Sequence, residues 1–433
     1  MTPNRHSSLT TRLPRVLLPL TLALVLRLLF ILPALDDPQL LSNISDTKEY
    51  LLLANNLGDG YLDADSDSFG MGLRRTPGYP VFLGALLAVS NGNEAWSIFA
   101  QVLLSVATVW LTYRLARRMF SETVAILSAY VLAVAPIAVL YTGYFQPEVL
   151  FTFLVVAGAL LWVRVLTEPS WLLAGATGLT WGAAVLVRPI GLFLLVLVVP
   201  VTLALGSKAL SYRIGMCAVI ALGFAIPVGS WIVRNMVETG VPILSTIEGA
   251  NLLKYRAAGA LAAEQGLPIE EARALLNSEL EAQTERQLNA AELSVRQRSY
   301  GIRILLQHPV GTFESMIRGG GRLIFGPGRS PLYLRLGEAD PDNADGRMEQ
   351  ALLGLQLIIL GSIYVAAFVG AITMRRSQSW TLVILLTIPF YFLVMSSGPG
   401  ASARFRFPMV PFIAILAAFG LQRIGNPKRR HPL

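Results

Sequence analysis

Charged residues are scarce in this chain, and their scarcity excludes several classes of protein. Only 14% of the 433 residues are Asp, Glu, Lys or Arg, 54% are hydrophobic, and the mean hydropathy is +0.57. These values exclude a disordered chain and argue against an ordinary soluble domain. Several apolar runs reach the ~20 residues that cross a hydrocarbon core, where an exposed strand would leave its backbone groups unpaired. The sequence therefore predicts an all-α polytopic membrane protein.

Residues that build redox, metal and nucleotide sites are also few. The single cysteine, Cys217, lies inside an apolar run, and the three histidines, His6, His308 and His431, show no metal-ligand spacing. The sequence has no P-loop, no dinucleotide fingerprint, no serine-centred elbow and no basic surface with interleaved aromatics. These absences argue against nucleotide chemistry and against nucleic acid as a partner.

Hydropathy predicts roughly ten membrane-spanning helices. They are Leu17–Leu35, Glu94–Tyr113, Val124–Tyr141, Val149–Leu166, Trp171–Val187, Ile190–Leu205, Ile214–Val233, Ala351–Ile372, Trp380–Met395 and Met409–Ile424. The first is long and lacks a small-residue cleavage site, so we interpret it as a retained span. Pro80–Ser90 is too short to cross and is predicted to be a helix at the membrane interface.

The net charge of +8 orients these spans. With the N-terminus in the cytoplasm, basic residues fall at the cytoplasmic ends, as the positive-inside tendency requires. These residues are Arg114, Arg117, Arg118, Arg164, Lys208, Arg213, Arg375, Arg376, Arg423, Lys428, Arg429 and Arg430. We therefore predict a plasma (inner) membrane protein with both termini cytoplasmic.

This topology divides the chain into three parts. Residues 1–233 form an N-terminal transmembrane module with a first exterior loop at 36–93, residues 234–350 form an exterior domain, and residues 351–433 carry the last spans.

The exterior domain is predicted to be small and mostly helical. Ile269–Leu306 is rich in helix formers. Gly319–Gly321, Gly326-Pro327-Gly328 and Glu338–Arg347 are predicted to be loops.

Several charges lie at the exterior ends of the predicted spans, where they are costly. They are Asp46, Lys48, Glu49, Arg74, Arg75, Glu148, Arg188, Arg234, Arg404 and Arg406. Ionisable groups near membrane depth tend to mark function or tight pairing. Because the guanidinium fork matches phosphate oxygens, these arginines predict an anionic partner on the exterior face.

Each carboxylate has two interpretations. Asp46 could act as a general base or metal ligand, or it could belong to a helix N-cap, since Ser45-Asp46-Thr47 is followed by Glu49. Glu148 could bind a metal or orient an acceptor, or it could be a first-turn acid favoured by the helix dipole after Pro147.

The arginines also have alternatives. Arg188 could clamp a phosphate or extend to the headgroups, and Arg404 and Arg406 could meet phosphates or belong to an aromatic and basic belt. Arg27, in the middle of the first span, is expected to be buried against a carboxylate in a structural role.

A set of short motifs follows in a fixed order along the chain. The motifs are Asp46-x-x-x-Tyr50, Ala54-Asn55-Asn56-Leu57, Arg75-Thr76-Pro77-Gly78-Tyr79-Pro80, Arg117-Arg118-Met119-Phe120, Glu148, Val187-Arg188-Pro189 and Arg404-Phe405-Arg406-x-Pro408-x-x-Pro411. This ordered set resembles the C-type (GT-C) membrane glycosyltransferases. More narrowly, it is similar to the branch that holds the protein O-mannosyltransferases, the lipid A aminoarabinose transferase and the bacterial lipopolysaccharide sugar transferases.

The resemblance implies an inverting glycosyltransferase that takes a hexose or pentose from a polyprenyl-phosphate donor on the exterior face. It implies catalytic roles for Asp46 and Glu148, which could also bind Mg²⁺ or Mn²⁺, and it leaves open a lipid, glycan or protein acceptor. The residues expected to bind substrate are Tyr50, Arg75, Tyr79, Arg188, Arg404 and Arg406. The alternatives are a polytopic lipid or solute transporter and an exterior-face glycan polymerase or ligase.

Overall fold

The computed structural model describes residues 15–36, 45–61, 69–284, 286–326 and 344–425. Within these ranges every regular element is a helix, so the predicted all-α fold is confirmed. Before residue 94 the described chain forms α1 (Leu17–Asp36), α2 (Ser45–Asn55), α3 (Leu57–Tyr61), α4 (Phe69–Arg74) and α5 (Gly78–Val89).

The N-terminal bundle continues with long apolar helices. These are α6 (Glu94–Met119), α7 (Glu122–Val134), α8 (Pro136–Leu140), α9 (Glu148–Thr167), α10 (Trp171–Val187), α11 (Leu195–Leu205) and α12 (Leu210–Thr239). Two 3₁₀ turns, Tyr141–Gly143 and Pro189–Gly191, join α8 to α9 and α10 to α11.

A set of shorter helices follows the bundle and builds a core of its own. It holds α13 (Ile247–Asn251), a π-helical turn (Leu252–Ala257), α14 (Ala258–Gln265), α15 (Ile269–Ala282), α16 (Ala290–Gln307) and α17 (Pro309–Phe325). Leu253, Leu261, Leu276 and Ile304 are among the buried residues of that core.

The last three helices return to the bundle. They are α18 (Ala344–Ser377), α19 (Ser379–Ser396) and α20 (Val410–Gly425), with a 3₁₀ segment, Ala403–Met409, before α20.

Six helical segments of the described chain are long and apolar enough to cross a membrane, or seven if α7 and α8 form one span bent by 61°. Three other predicted spans lie on shorter apolar helical stretches of 17 or fewer residues, at 17–32 within α1, at 171–187 and at 189–205. The chain is therefore an integral membrane protein, and the count of roughly ten crossings stays a prediction.

The bend between α7 and α8 explains the buried Arg27. Pro136 has no N–H to continue the helical hydrogen bonds, so the helix breaks there. Arg27 Nη1 donates to the freed carbonyl of Ala133 at 3.1 Å, and its Nε donates to Ser105 Oγ at 2.7 Å. Arg27 thus has carbonyl and hydroxyl partners, and no described carboxylate pairs with it, so the expected ion pair was wrong.

Within residues 234–350, the loop prediction for Gly319–Gly321 was wrong, and so was the described part of the one for Glu338–Arg347. Gly319–Gly321 lies inside α17. Glycine suits position 319 because α17 packs there against the backbone of Gly398, and a Cβ added at Gly319 would lie 2.1 Å from the carbonyl oxygen of Gly398. Residues 344–347 begin α18, whereas the rest of the predicted loop from Glu338 lies outside the described residues, as do Pro327 and Gly328.

Candidate active site

The first turn of α2 presents two carboxylates to one arginine. Asp46 and Glu49 are three positions apart, so they lie on the same face of the helix. Arg75, just after α4, places its Nη2 atom 2.8 Å from Asp46 Oδ1 and donates from Nε to Glu49 Oε2 at 2.7 Å. Arg75 also lies over the ring of Tyr50, with 5.0 Å from its Cζ to the ring centroid. The motif around Asp46 and the motif around Arg75 therefore form one cluster.

Arg404 brings the C-terminal end of the chain into the same cluster. Its Nη1 atom lies 3.0 Å from Asp46 Oδ2 and 3.2 Å from Gln146 Oε1. Its Nε atom lies 3.8 Å from Glu148 Oε1. One guanidinium thus stands between the two carboxylates that the sequence singled out.

Glu148 continues the chain of charges to Arg188. Glu148 begins α9 directly after Pro147, where the helix dipole favours a carboxylate, and its side chain is only 1% exposed. Arg188 Nη1 donates to Glu148 Oε1 at 2.8 Å, and its guanidinium also packs 5.1 Å from the ring centroid of Phe405. Glu148 Oε2 is buried without a hydrogen-bond partner among the described residues.

These contacts form a row of alternating charges. The order is Arg75, Asp46, Arg404, Glu148 and Arg188, drawn from five separate segments of the sequence. Glu49 and Arg74 extend this row beyond Arg75, so with every group ionised the cluster carries a net charge of +1, from four arginines less three acids. A row with this excess of guanidinium groups can accept an anion such as a phosphate.

The arginines keep Asp46 ionised. Burial disfavours its charge, but Arg404 and Arg75 outweigh burial, so the pKa of Asp46 lies below its usual value. Burial likewise opposes the charge of Arg75, and Tyr50, Asp46 and Glu49 reverse that effect, so the pKa of Arg75 is raised. Asp46 is thus an ionised but weakened base while both arginines hold it.

Two residues predicted to bind substrate have other partners. Tyr79 is fully buried and donates to Gln101 Oε1 at 3.1 Å, so it supports Tyr50, whose ring it meets edge-on at 5.0 Å. Arg406 is buried, and its Nη1 donates to the carbonyls of Leu323, Ile324 and Gly326 at the end of α17. The structure therefore places Arg406 in a helix-capping position at the end of α17.

Two further residues join the site, and sequence reasoning gave neither a role there, although it counted Glu49 among the exterior charges. Gln146 is fully buried, accepts from Arg404 and donates to Thr47 Oγ1 at 3.4 Å. Glu49 shares Arg75 with Asp46 and also pairs with Arg74 at 3.1 Å. The available signal was proximity in sequence, because Gln146 lies two residues before Glu148 and Glu49 lies one turn after Asp46.

The carboxylates, as arranged, fit arginine partners better than a cation. Asp46 is engaged by Arg75 and Arg404, and Arg404 occupies the space between Asp46 and Glu148. In the part of the chain that the structure describes, no group of three or more His, Cys, Asp or Glu is placed to hold a metal ion. A divalent cation on Asp46 and Glu148 would therefore have to displace a guanidinium.

Comparisons with known proteins agree with this architecture. A family model described as dolichyl-phosphate-mannose-protein mannosyltransferase matches residues 74–231, which include Arg75, Glu148 and Arg188. No curated protein sequence matches the chain.

Among solved structures, the fold resembles the archaeal oligosaccharyltransferase AglB from Archaeoglobus fulgidus, in a complex with an inhibitory peptide and a dolichol-phosphate. The identity is 13% and the TM-score 0.52, over 95% of this chain and 50% of that one. A second match is ArnT from Cupriavidus metallidurans bound to undecaprenyl phosphate, at 12% identity and a TM-score of 0.42, over 95% of this chain and 78% of that one.

The chain thus spans half the length of AglB, and at this identity the likeness concerns the fold alone. Residues 74–231 match the dolichyl-phosphate-mannose-protein mannosyltransferase family, and the fold of the chain as a whole is similar to that of AglB.

Proposed function

We propose that the protein is an inverting glycosyltransferase that moves a hexose or pentose from a polyprenyl-phosphate donor to an acceptor on the exterior face of the membrane. The observation that carries this proposal is the ion pair between Asp46 and Arg404, flanked by Arg75 on one side and by Glu148 and Arg188 on the other. A base beside several phosphate-binding groups is what transfer from a sugar phosphate requires.

In the proposed reaction the acceptor oxygen or nitrogen attacks the anomeric carbon of the sugar. The bond from that carbon to the phosphate oxygen breaks, and its electron pair stays on the leaving phosphate. The proton of the acceptor passes to Asp46. Arg404 and Arg188 stabilise the charge that develops on the phosphate.

The lowered pKa of Asp46 sets the order of events. A bound phosphate competes with Asp46 for Arg404, because guanidinium binds phosphate oxygens as readily as a carboxylate. As Arg404 turns to the phosphate, Asp46 loses the partner that contributes most to lowering its pKa and becomes a stronger base. Donor binding thus activates Asp46, and the base is weak when no donor is present.

The distribution of charge supports an exterior site. α9 begins at Glu148 in the site and has Arg164 in its last turn. The final span likewise begins beside Arg404 and has Arg423 in its last turn. Because basic residues favour the cytoplasmic side, this distribution supports the predicted exterior position of the Asp46 end and the predicted cytoplasmic termini.

The test is transfer by purified protein in lipid nanodiscs, with polyprenyl-phosphate hexoses and pentoses as donors and released polyprenyl phosphate as readout. We expect Asp46→Asn to lower release by about 10²–10⁴-fold, the usual value of a general base. Glu122→Gln is the matched control, since Glu122 is a carboxylate paired with Arg117 at the opposite end of the bundle. Equal release from Asp46→Asn and wild type would remove Asp46 from catalysis.

A further inference from the structure

The helix α17 carries an apolar stripe that no described part of the protein covers. Val310, Phe313 and Ile317 are 70%, 69% and 61% exposed, and Phe325 at the end of the helix is 68% exposed. The spacing of 310, 313 and 317 places these side chains on one face of the helix. Exposed apolar surface of this kind marks a contact with a membrane or a partner.

The opposite face of α17 fixes its orientation. An added Cβ at Gly311 would lie 2.1 Å from the carbonyl oxygen of Ala260, and one at Gly319 would lie 2.1 Å from that of Gly398. Ser315 and Leu323 are buried on the same side. The helix is therefore packed closely onto the protein through small residues, so its apolar stripe must point away from the fold.

The end of α17 lies against a helix that spans the membrane. The ring of Phe325 meets that of Tyr364 edge-on at 6.4 Å, and Tyr364 Oη donates to the carbonyl of Ile324 at 2.9 Å. Tyr364 lies within the candidate span 350–377, next to Val365 and four positions before Phe368, which are 65% and 67% exposed. The stripe thus continues the apolar surface that the span presents to lipid.

Two charged residues border the part of the stripe formed by Val310, Phe313 and Ile317. Glu314 and Arg318 form an ion pair one helical turn apart, and Arg318 stays exposed. An apolar face with charged side chains at its edge is typical of a helix that lies in the plane of a membrane interface. A helix of this kind buries its apolar residues among acyl chains and leaves its charges at the headgroups.

We infer that α17 is an interfacial helix whose face of Val310, Phe313, Ile317 and Phe325 is seated in the lipid bilayer on the same side as Asp46. Arg322 Nη2 donates to the carbonyl of Pro399 at 3.0 Å, and Arg406 holds the carbonyls at the end of α17. Both contacts lie close in sequence to Arg404. The bilayer therefore supports the segment that carries Arg404, and this inference does not depend on the reaction proposed above.

The unmodified protein provides the first test. We would reconstitute it in nanodiscs with a phospholipid that carries a diazirine near the top of one acyl chain, irradiate, digest with trypsin and locate the adducts by mass spectrometry. The tryptic peptide 304–318 contains the stripe, and the peptide 274–286 from α15 contains Leu275, which is 41% exposed. We expect adducts in the first peptide and at least about fivefold fewer in the second.

Single cysteines in a Cys217→Ser background give the second test. A fluorophore at Val310→Cys, Phe313→Cys or Ile317→Cys should be quenched by doxyl-labelled lipid and shielded from iodide, and at Leu275→Cys the reverse should hold. Quenching by iodide at all four positions would overturn the inference. The inference would also be overturned if the fluorophores were shielded from both doxyl-labelled lipid and iodide, and if this shielding increased with the number of protein copies per disc. A second protein chain would then cover the stripe.

Discussion

Asp46 and Arg404 are separated by 358 positions in the chain, and Arg404 Nη1 lies 3.0 Å from Asp46 Oδ2. Arg404 contributes most to the lowering of the pKa of Asp46, which stands below its ordinary value of 3.8. A carboxyl with a depressed pKa in the folded state gives stability that is lost only as the pH falls through that lower pKa. The ion pair should therefore stay intact above about pH 4.

The first prediction concerns the pH dependence of transfer. For the wild type, kcat/KM should show no acid limb from Asp46 between about pH 5 and 8, since kcat/KM reports the pKa values of the free enzyme. In Arg404→Gln only Arg75 remains to offset the burial of Asp46, so the pKa of Asp46 rises. The fall of kcat/KM at acid pH, which reports protonation of Asp46, should therefore move to higher pH. Arg376→Gln, an exposed arginine elsewhere, is the control. An unchanged profile in Arg404→Gln would show that Arg404 does not tune Asp46.

The second prediction concerns the buried pair of Glu148 and Arg188. Arg188→Gln leaves a carboxylate that is 1% exposed without its closest partner, and we expect a loss of about 3 kcal/mol in the free energy of unfolding. Adding Glu148→Gln should restore at least about 1 kcal/mol, because it removes the uncompensated charge. Unfolding of the single and double variants in detergent, analysed as a double-mutant cycle, would measure the coupling. Additive losses would contradict it.

The third prediction separates Arg406 from Arg404. Arg406→Gln removes a buried group that donates to three carbonyls, and we expect a loss of about 2–3 kcal/mol in stability. Binding of polyprenyl phosphate, measured at a temperature where the variant stays folded, should fall less than in Arg404→Gln. An Arg406→Gln variant with normal stability and lost binding would place Arg406 in the site instead.

The fourth prediction uses two glycines in helices. An added Cβ at Gly178 in α10 would lie 2.1 Å from the carbonyl oxygen of Ile220 in α12, so Gly178→Ala should force these helices apart and cost about 1–3 kcal/mol. Gly354 in α18 has nothing within 4 Å of an added Cβ, so Gly354→Ala should be neutral or stabilise by up to about 1 kcal/mol. Thermal unfolding midpoints in detergent compare the two, and equal shifts would contradict the close packing of α10 on α12.

Much of the fold could be predicted from hydropathy, because the lipid core admits apolar helices and little else. Each predicted span overlaps helical elements of the structure, as Glu94–Tyr113 does α6, although Val124–Tyr141 breaks into α7 and α8. Hydropathy could not decide how many helices cross, since Trp171–Val187 and 189–205 are apolar but short. The loop prediction for Gly319–Gly321 failed because the glycines there allow α17 to pack closely on the backbone of Gly398, which sequence alone does not reveal.

The sequence by itself determined that the chain is helical, lies in a membrane and places charged residues at one end of its helices, since these follow from local composition and from the cost of burying charge in lipid. Only the tertiary structure decided which charges meet. It placed Arg404 between Asp46 and Glu148, moved Arg406 to the end of α17, gave Arg27 carbonyl partners and brought Gln146 into the site. A hydrogen bond or ion pair depends on distances of a few ångströms between segments far apart in the chain, and such distances are set by helix packing.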